Sequence, residues 1–116
     1  MTNDDLVDQL VELVGSPTAA KSLVSNLEDE PLTAIAAGLK KKAIFYLQRD
    51  APTAMAIAQL IIDIAGWRDN PRIRALGLQT KATVLTLSQR EFEKALDLFA
   101  ESEALYKAEN AELEIA

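Results

Sequence analysis

The side chains of this chain best suited to chemistry are its charged ones, and their grouping limits what that chemistry could be. Two acidic groups, Asp4/Asp5/Asp8 and Glu28/Asp29/Glu30, supply the carboxylate oxygens that a hard cation takes. Neither has the spacing around a central glycine that a calcium loop needs, and both fit helix starts, where negative charge meets the positive end of the macrodipole. Lys40, Lys41 and Lys42, with Arg49, Arg68, Arg72 and Arg74, make the one basic cluster. A pI near 4.6 and the lack of interleaved aromatics argue against nucleic acid as its partner.

The 116 residues contain no Cys and no His. Thiolate nucleophiles, disulfides and thiolate metal ligands are therefore excluded, and so is the imidazole that most readily moves protons near neutral pH. No Ser stands in a Gly-x-Ser-x-Gly context, and Gly15, Gly38, Gly66 and Gly77 are too scattered for a phosphate loop. The expectation is a chain with no catalytic residue, no cofactor and no metal, and hence not an enzyme.

Charge is distributed in three blocks. Residues 1–30 carry seven acids against Lys21, residues 31–90 nine bases against Asp50, Asp63 and Asp69, and residues 91–116 eight acids against Lys94 and Lys107. Solvated helix faces explain such a pattern, and so does a middle that attracts an acidic partner segment or termini that attract a basic one. The acidic start and the absence of an apolar run near the roughly 20 residues that cross a bilayer lead to the expectation of a cytoplasmic protein without membrane contact.

The elements that must position these side chains are helices. Hydrophobic residues make up 49% and aromatics 5%, with abundant Ala and Leu, in a length suited to one structural unit. Thr2 or Asn3 caps a first helix with the apolar face Leu6, Val7, Leu10, Val11 and Val14, ended by Gly15. Ser16-Pro17 starts a short second helix, and Pro31 a third whose stripe runs Leu32, Ile35, Ala36, Leu39, Ala43 and Tyr46. Asp50-Ala51-Pro52 opens a fourth, apolar nearly all round and so predicted to lie between neighbours. Gly66 fits the left-handed position after it, with Trp67 as the accompanying hydrophobic contact or, alternatively, a ligand-stacking residue. Asn70-Pro71 begins a fifth helix to about Ser88, and Glu91 a sixth to about Lys107.

A shift of 39 residues places AAGLKKKA (Ala36 to Ala43) over ALGLQTKA (Ala75 to Ala82), with five of eight positions identical. The same shift pairs Tyr46 with Leu85, Ala56 with Ala95, Leu60 with Phe99 and Ala65 with Ala104, the pattern of a repeated helical hairpin. Gly38 and Gly77 coincide in it and are read as close-packing positions.

Leu78, Ala82 and Leu85, then Phe92, Ala95 and Phe99, resemble the packing residues of a tetratricopeptide repeat. The departures are a period of 39 rather than 34, one extra residue between Ala82 and Ala95, no terminal Pro, and Lys42 and Lys81 at a position usually apolar. RALGLQTKA followed by REFEKALDLFAESEALY is similar to repeats in front of caspase-like CHAT proteases and in large bacterial signalling regulators. The resemblance implies an all-α fold of antiparallel helical hairpins stacked as a short α-solenoid: a cap over 1–30, hairpins over about 31–67 and 71–107, and a tail or further helix over 108–116.

It further implies a non-catalytic interaction module that holds a partner protein or peptide in a groove. The lining positions would be Ala37, Lys40, Ile44 and Leu47, then Leu76, Gln79, Thr83 and Thr86, suited to a segment with an acidic residue. A regulatory or sensing segment of a larger protein such as a CHAT-type protease, and a self-assembling element or homodimer, are the other readings.

Overall fold

In the computed structural model, which describes residues 2–89 and 91–115, six α-helices follow one another. They are α1 (Asn3–Glu12), α2 (Pro17–Val24), α3 (Asp29–Tyr46), α4 (Ala51–Arg68), α5 (Pro71–Val84) and α6 (Phe92–Ile115), with a π-helical segment, Leu85–Gln89, after α5. No strand occurs among the described residues, and no helix there is long and apolar enough to cross a membrane.

Side-chain caps set several starts by satisfying N–H groups that lack an intrahelical acceptor. Before α1, Thr2 Oγ1 accepts from the Asp5 N–H at 3.2 Å while the Asp5 carboxylate accepts from the Thr2 N–H at 3.1 Å. Those bonds, the backbone one first, hold the Asp5 carboxyl below its ordinary pKa. Asp50 accepts from the Thr53 N–H at 3.3 Å, and Asn70 from the Ile73 N–H at 3.0 Å. Ser16 makes no such bond, so α2 begins on the fixed φ of Pro17 alone. Helix α3 starts two residues ahead of Pro31, which sits in the first turn where its missing N–H is harmless.

The stops differ from those read in the sequence. Gly66 lies inside α4 without a left-handed φ, and the left-handed residue is Asp69, at φ 49°. Asp can take that conformation because its short polar side chain tolerates it. Trp67 thus belongs to the last turn of α4 and lies half-buried against the core. Gly15 likewise has no positive φ, and α1 ends earlier, at Glu12. Helix α6 continues past Lys107 to Ile115.

The end of α5 and the π-helical segment after it carry hydroxyls that compete with the backbone. Thr80, Thr83, Thr86 and Ser88 each donate to the carbonyl four residues earlier, at 2.5 to 3.0 Å, and such bonds loosen a helix.

The core lies between α1, α3 and α4. Leu32, Ile35 and Leu39 meet Ile57, Ile61 and Ile64, with Leu10, Val24 and Ile73 closing the cluster. Each large side chain withdrawn from water contributes roughly 1.5–3 kcal/mol. As its composition predicts, α4 is sandwiched: it packs on α3 and α5 and touches α2. A smaller cluster, Ala82, Leu85 and Ala95 with Met55 and Leu98, joins α6 to the rest.

Both equivalent glycines are points of close approach. A Cβ on Gly38 would lie 2.7 Å from Val7 Cγ2, and one on Gly77 would lie 2.7 Å from Ile62 Cγ1 and 2.9 Å from the Ile62 backbone N. Helix α1 therefore meets α3 at the position where α4 meets α5.

Burial follows the shift of 39 only in the first helices, where Ala36/Ala75, Leu39/Leu78 and Ala43/Ala82 are all buried. In the second helices Leu60 is buried while Phe99 is 37% exposed, so those sequence matches do not share an environment. The helix starts, Ala51 and Phe92, lie 41 apart. At that spacing Ala54 matches Ala95 and Ile61 matches Ser102, all four buried. The π-helical segment extends the second connection and shifts the register by two.

Candidate binding groove

The eight residues expected to line a groove divide between α3 with its C-cap and α5 with the segment after it. Helices α3 and α5 touch, and Lys40 Nζ donates to Gln79 Oε1 at 3.3 Å, a bond between two positions that the shift of 39 superimposes. Around it Ala37 and Ile44 are exposed, Ile44 by 43%, and Leu47 is half-buried at the end of α3. Leu76 packs against the core instead of facing outward freely. Thr83 and Thr86 are half-buried, and their hydroxyls donate to the carbonyls of Gln79 and Ala82 at 3.0 and 2.9 Å. They keep lone pairs for an incoming donor. Chemically, the surface offers one lysine already hydrogen-bonded, an amide, and a mixed apolar and hydroxyl lining.

Two features beside it are not among the eight positions that the repeat resemblance implies. Phe45 is 51% exposed, its ring edge-on to Tyr46 with centroids 5.2 Å apart, and the Arg49 guanidinium lies 4.1 Å from its centroid. Arg49 also donates to the Phe45 carbonyl at 3.0 Å. The sequence signal was there: Phe45 follows Ile44 and precedes an arginine by one helical turn, the spacing of a cation–π pair. The second is a cleft of about 320 Å³ between α5 and α6, lined by Gln79, Phe99, Ser102, Glu103, Tyr106 and Lys107. It adjoins the groove through Gln79. Burial raises the Tyr106 phenol above its ordinary pKa, with Arg72 acting in the opposite direction.

Most of the basic cluster is occupied inside the molecule. Lys42 pairs with Asp8 at 3.1 Å, Arg68 with Asp29 at 3.4 Å, Arg72 with Glu109 at 3.5 Å and Arg74 with Glu101 at 3.1 Å. Arg68 additionally donates to the Val24 carbonyl at 2.8 Å, tying α4 to the end of α2. The basic middle of the chain is thus met in part by its own acidic ends. Glu28/Asp29/Glu30 stand at the start of α3 and Asp4/Asp5 in the first turn of α1, where the macrodipole favours them. Among the described residues no group of three or more Asp or Glu side chains is arranged to hold a metal ion.

No protein-family model, curated protein or solved structure matches this chain.

Proposed function

We propose that this chain is a non-catalytic interaction module in which α3–α4 and α5–α6 are successive tetratricopeptide-like hairpins of a short α-solenoid, capped by α1 and α2. Its binding surface is the shared face of α3 and α5. The observation that carries the reading is the Lys40 to Gln79 bond, which joins equivalent repeat positions on adjacent helices and so forms one surface out of two repeats. The close approaches at Gly38 and Gly77 support the same arrangement. The occupant is an extended or helical peptide with apolar residues for Ile44 and Phe45 and an acid for Lys40. The absence of Cys and His leaves the chain without the usual nucleophile and proton shuttle, which suits holding rather than catalysis.

The test is selection from a random displayed peptide library on the wild-type chain and on a Lys40→Glu/Gln79→Glu variant. Enrichment of acidic, apolar sequences by the wild type and their loss from the variant is the expected result. Equal enrichment on both, or none on either, removes the groove.

A further inference from the structure

The molecule twice shows one way of laying a helix on a neighbour. Gly38 packs against Val7 of α1, and Lys42, one turn on, reaches Asp8 at 3.1 Å. Gly77 packs against Ile62 of α4, and Lys81, again one turn on, donates to Gln59 Oε1 at 3.1 Å. In each case a residue without a Cβ admits an apolar side chain at close range, and a lysine four residues later binds an oxygen on the covered helix. The spacing is that of side chains stacked on one helix face.

Among the described residues, a third face with matching ingredients has no helix on it. At the 41-residue spacing of the second helices, Met55, Gln59 and Ile62, the face of α4 beneath α5, correspond to Leu96, Ala100 and Glu103 of α6. All three are exposed, Leu96 by 67%, and Phe92 beside them by 56%. Leu96, Ala100 and Glu103 fall at i, i+4 and i+7, a single stripe. Exposed Glu93 and Asp97 flank that stripe, and Lys107 at its end is engaged with Glu103 at 3.0 Å. An apolar strip with an acidic border favours a cationic partner.

We infer that the outer face of α6, around Leu96, Ala100 and Glu103, docks an amphipathic helix of a partner protein carrying a glycine or alanine and, four residues later, a lysine or arginine. The small residue lies over Leu96 and Ala100, and the cation reaches Glu103 or Asp97. A second folded copy is a poor occupant. Its own Gly-x-x-x-Lys faces are already covered by α1 and α4, and two α6 faces would set acid against acid. Glu103 also lines the cleft that reaches Gln79, but the apolar part of this surface, Leu96 and Ala100, lies outside both that cleft and the α3–α5 groove, and the inference does not rest on the groove.

The probe is a synthetic peptide with the sequence of residues 70–88 of this chain, which contains the Gly77 and Lys81 pattern, titrated into the isotope-labelled full chain. Saturable binding with NMR shifts concentrated over residues 92–104 is expected. Leu96→Glu, at a site exposed enough to leave the thermal midpoint unchanged, should weaken binding roughly tenfold or more, as loss of a central apolar anchor does. A peptide with Lys81→Glu should bind several-fold more weakly, whereas Lys40→Glu in the protein should have no effect. Absence of saturable binding, shifts confined to α3 and α4 through exchange with the resident α5, or indifference to Leu96→Glu would each overturn the inference. So would sedimentation as a dimer that Leu96→Glu converts to monomer, which would assign the face to a second copy.

Discussion

Helices α4 and α6 follow α3 and α5 in the same order, yet α4 is covered on most of its circumference and α6 on one side. Ala54, Ile57, Ala58, Leu60, Ile61, Ile64 and Ala65 are buried in α4, against Ala95 and Ser102 among the described side chains of α6, which end at Glu109. The composition of the two helices records this difference. Asp63 is the one acid of α4 and Arg68 its one base, while α6 carries charged residues throughout its length. Two helices with the same place in the chain order are thus set in different surroundings, and α6 keeps Phe92 and Leu96 in water where α4 keeps no comparable side chain.

The largest test of that contrast is truncation on each helix. Ile61→Ala should destabilise by about 2–5 kcal/mol, because the residue is fully buried, whereas Leu96→Ala should stay within about 0.5 kcal/mol. Urea unfolding of both variants measures it, and equal losses would mean that α6 is covered as α4 is.

Next come the glycines. Gly77→Ala should cost about 1–3 kcal/mol from overpacking, less up to about 1 kcal/mol regained in helix propensity. The obstruction includes the Ile62 backbone N at 2.9 Å, which cannot rotate away. At Gly38 the added Cβ meets only the Val7 side chain, so Gly38→Ala should cost less. The reverse order would show α1 held more rigidly than α4.

Gly66→Ala should act in the opposite direction. Nothing lies within 4 Å of a Cβ there and the residue is helical, so a gain of about 0.5–1 kcal/mol is expected, seen as a higher thermal midpoint. A loss would return the helix stop to Gly66. The smallest effect belongs to the Arg74–Glu101 pair at the edge of α6, whose members are roughly half exposed. Glu101→Gln should cost about 0–1 kcal/mol, diminishing as salt is raised.

Much of the helical layout was legible because it is local. Asp50 and Asn70 announce their helices by capping N–H groups three residues on, and the stripe Leu32, Ile35, Ala36, Leu39 and Ala43 is buried as its period predicts. The misreadings share a cause. Gly66 has a sequence neighbourhood that suits a stop, but Trp67 and Arg68 gain contacts with the core and with the Val24 carbonyl by continuing the helix. Of the candidate groove, Lys40 and Gln79 could be paired from the repeat. That Leu76, half-buried, packs against the core could not be read, since it depends on which neighbour α5 meets.

For this protein the sequence by itself determined six helices, the capped starts at Thr2, Asp50 and Asn70, the apolar stripe of α3, the close-packing role of Gly38 and Gly77, and the lack of thiol and imidazole chemistry. Each of these rests on interactions within a few residues or on side-chain type alone. Only the tertiary structure decided that the basic middle is met by the acidic ends, that the second helices run at a spacing of 41 rather than 39, and that α6 presents an apolar face to water. Those depend on which faces of distant helices meet, and no local period encodes that.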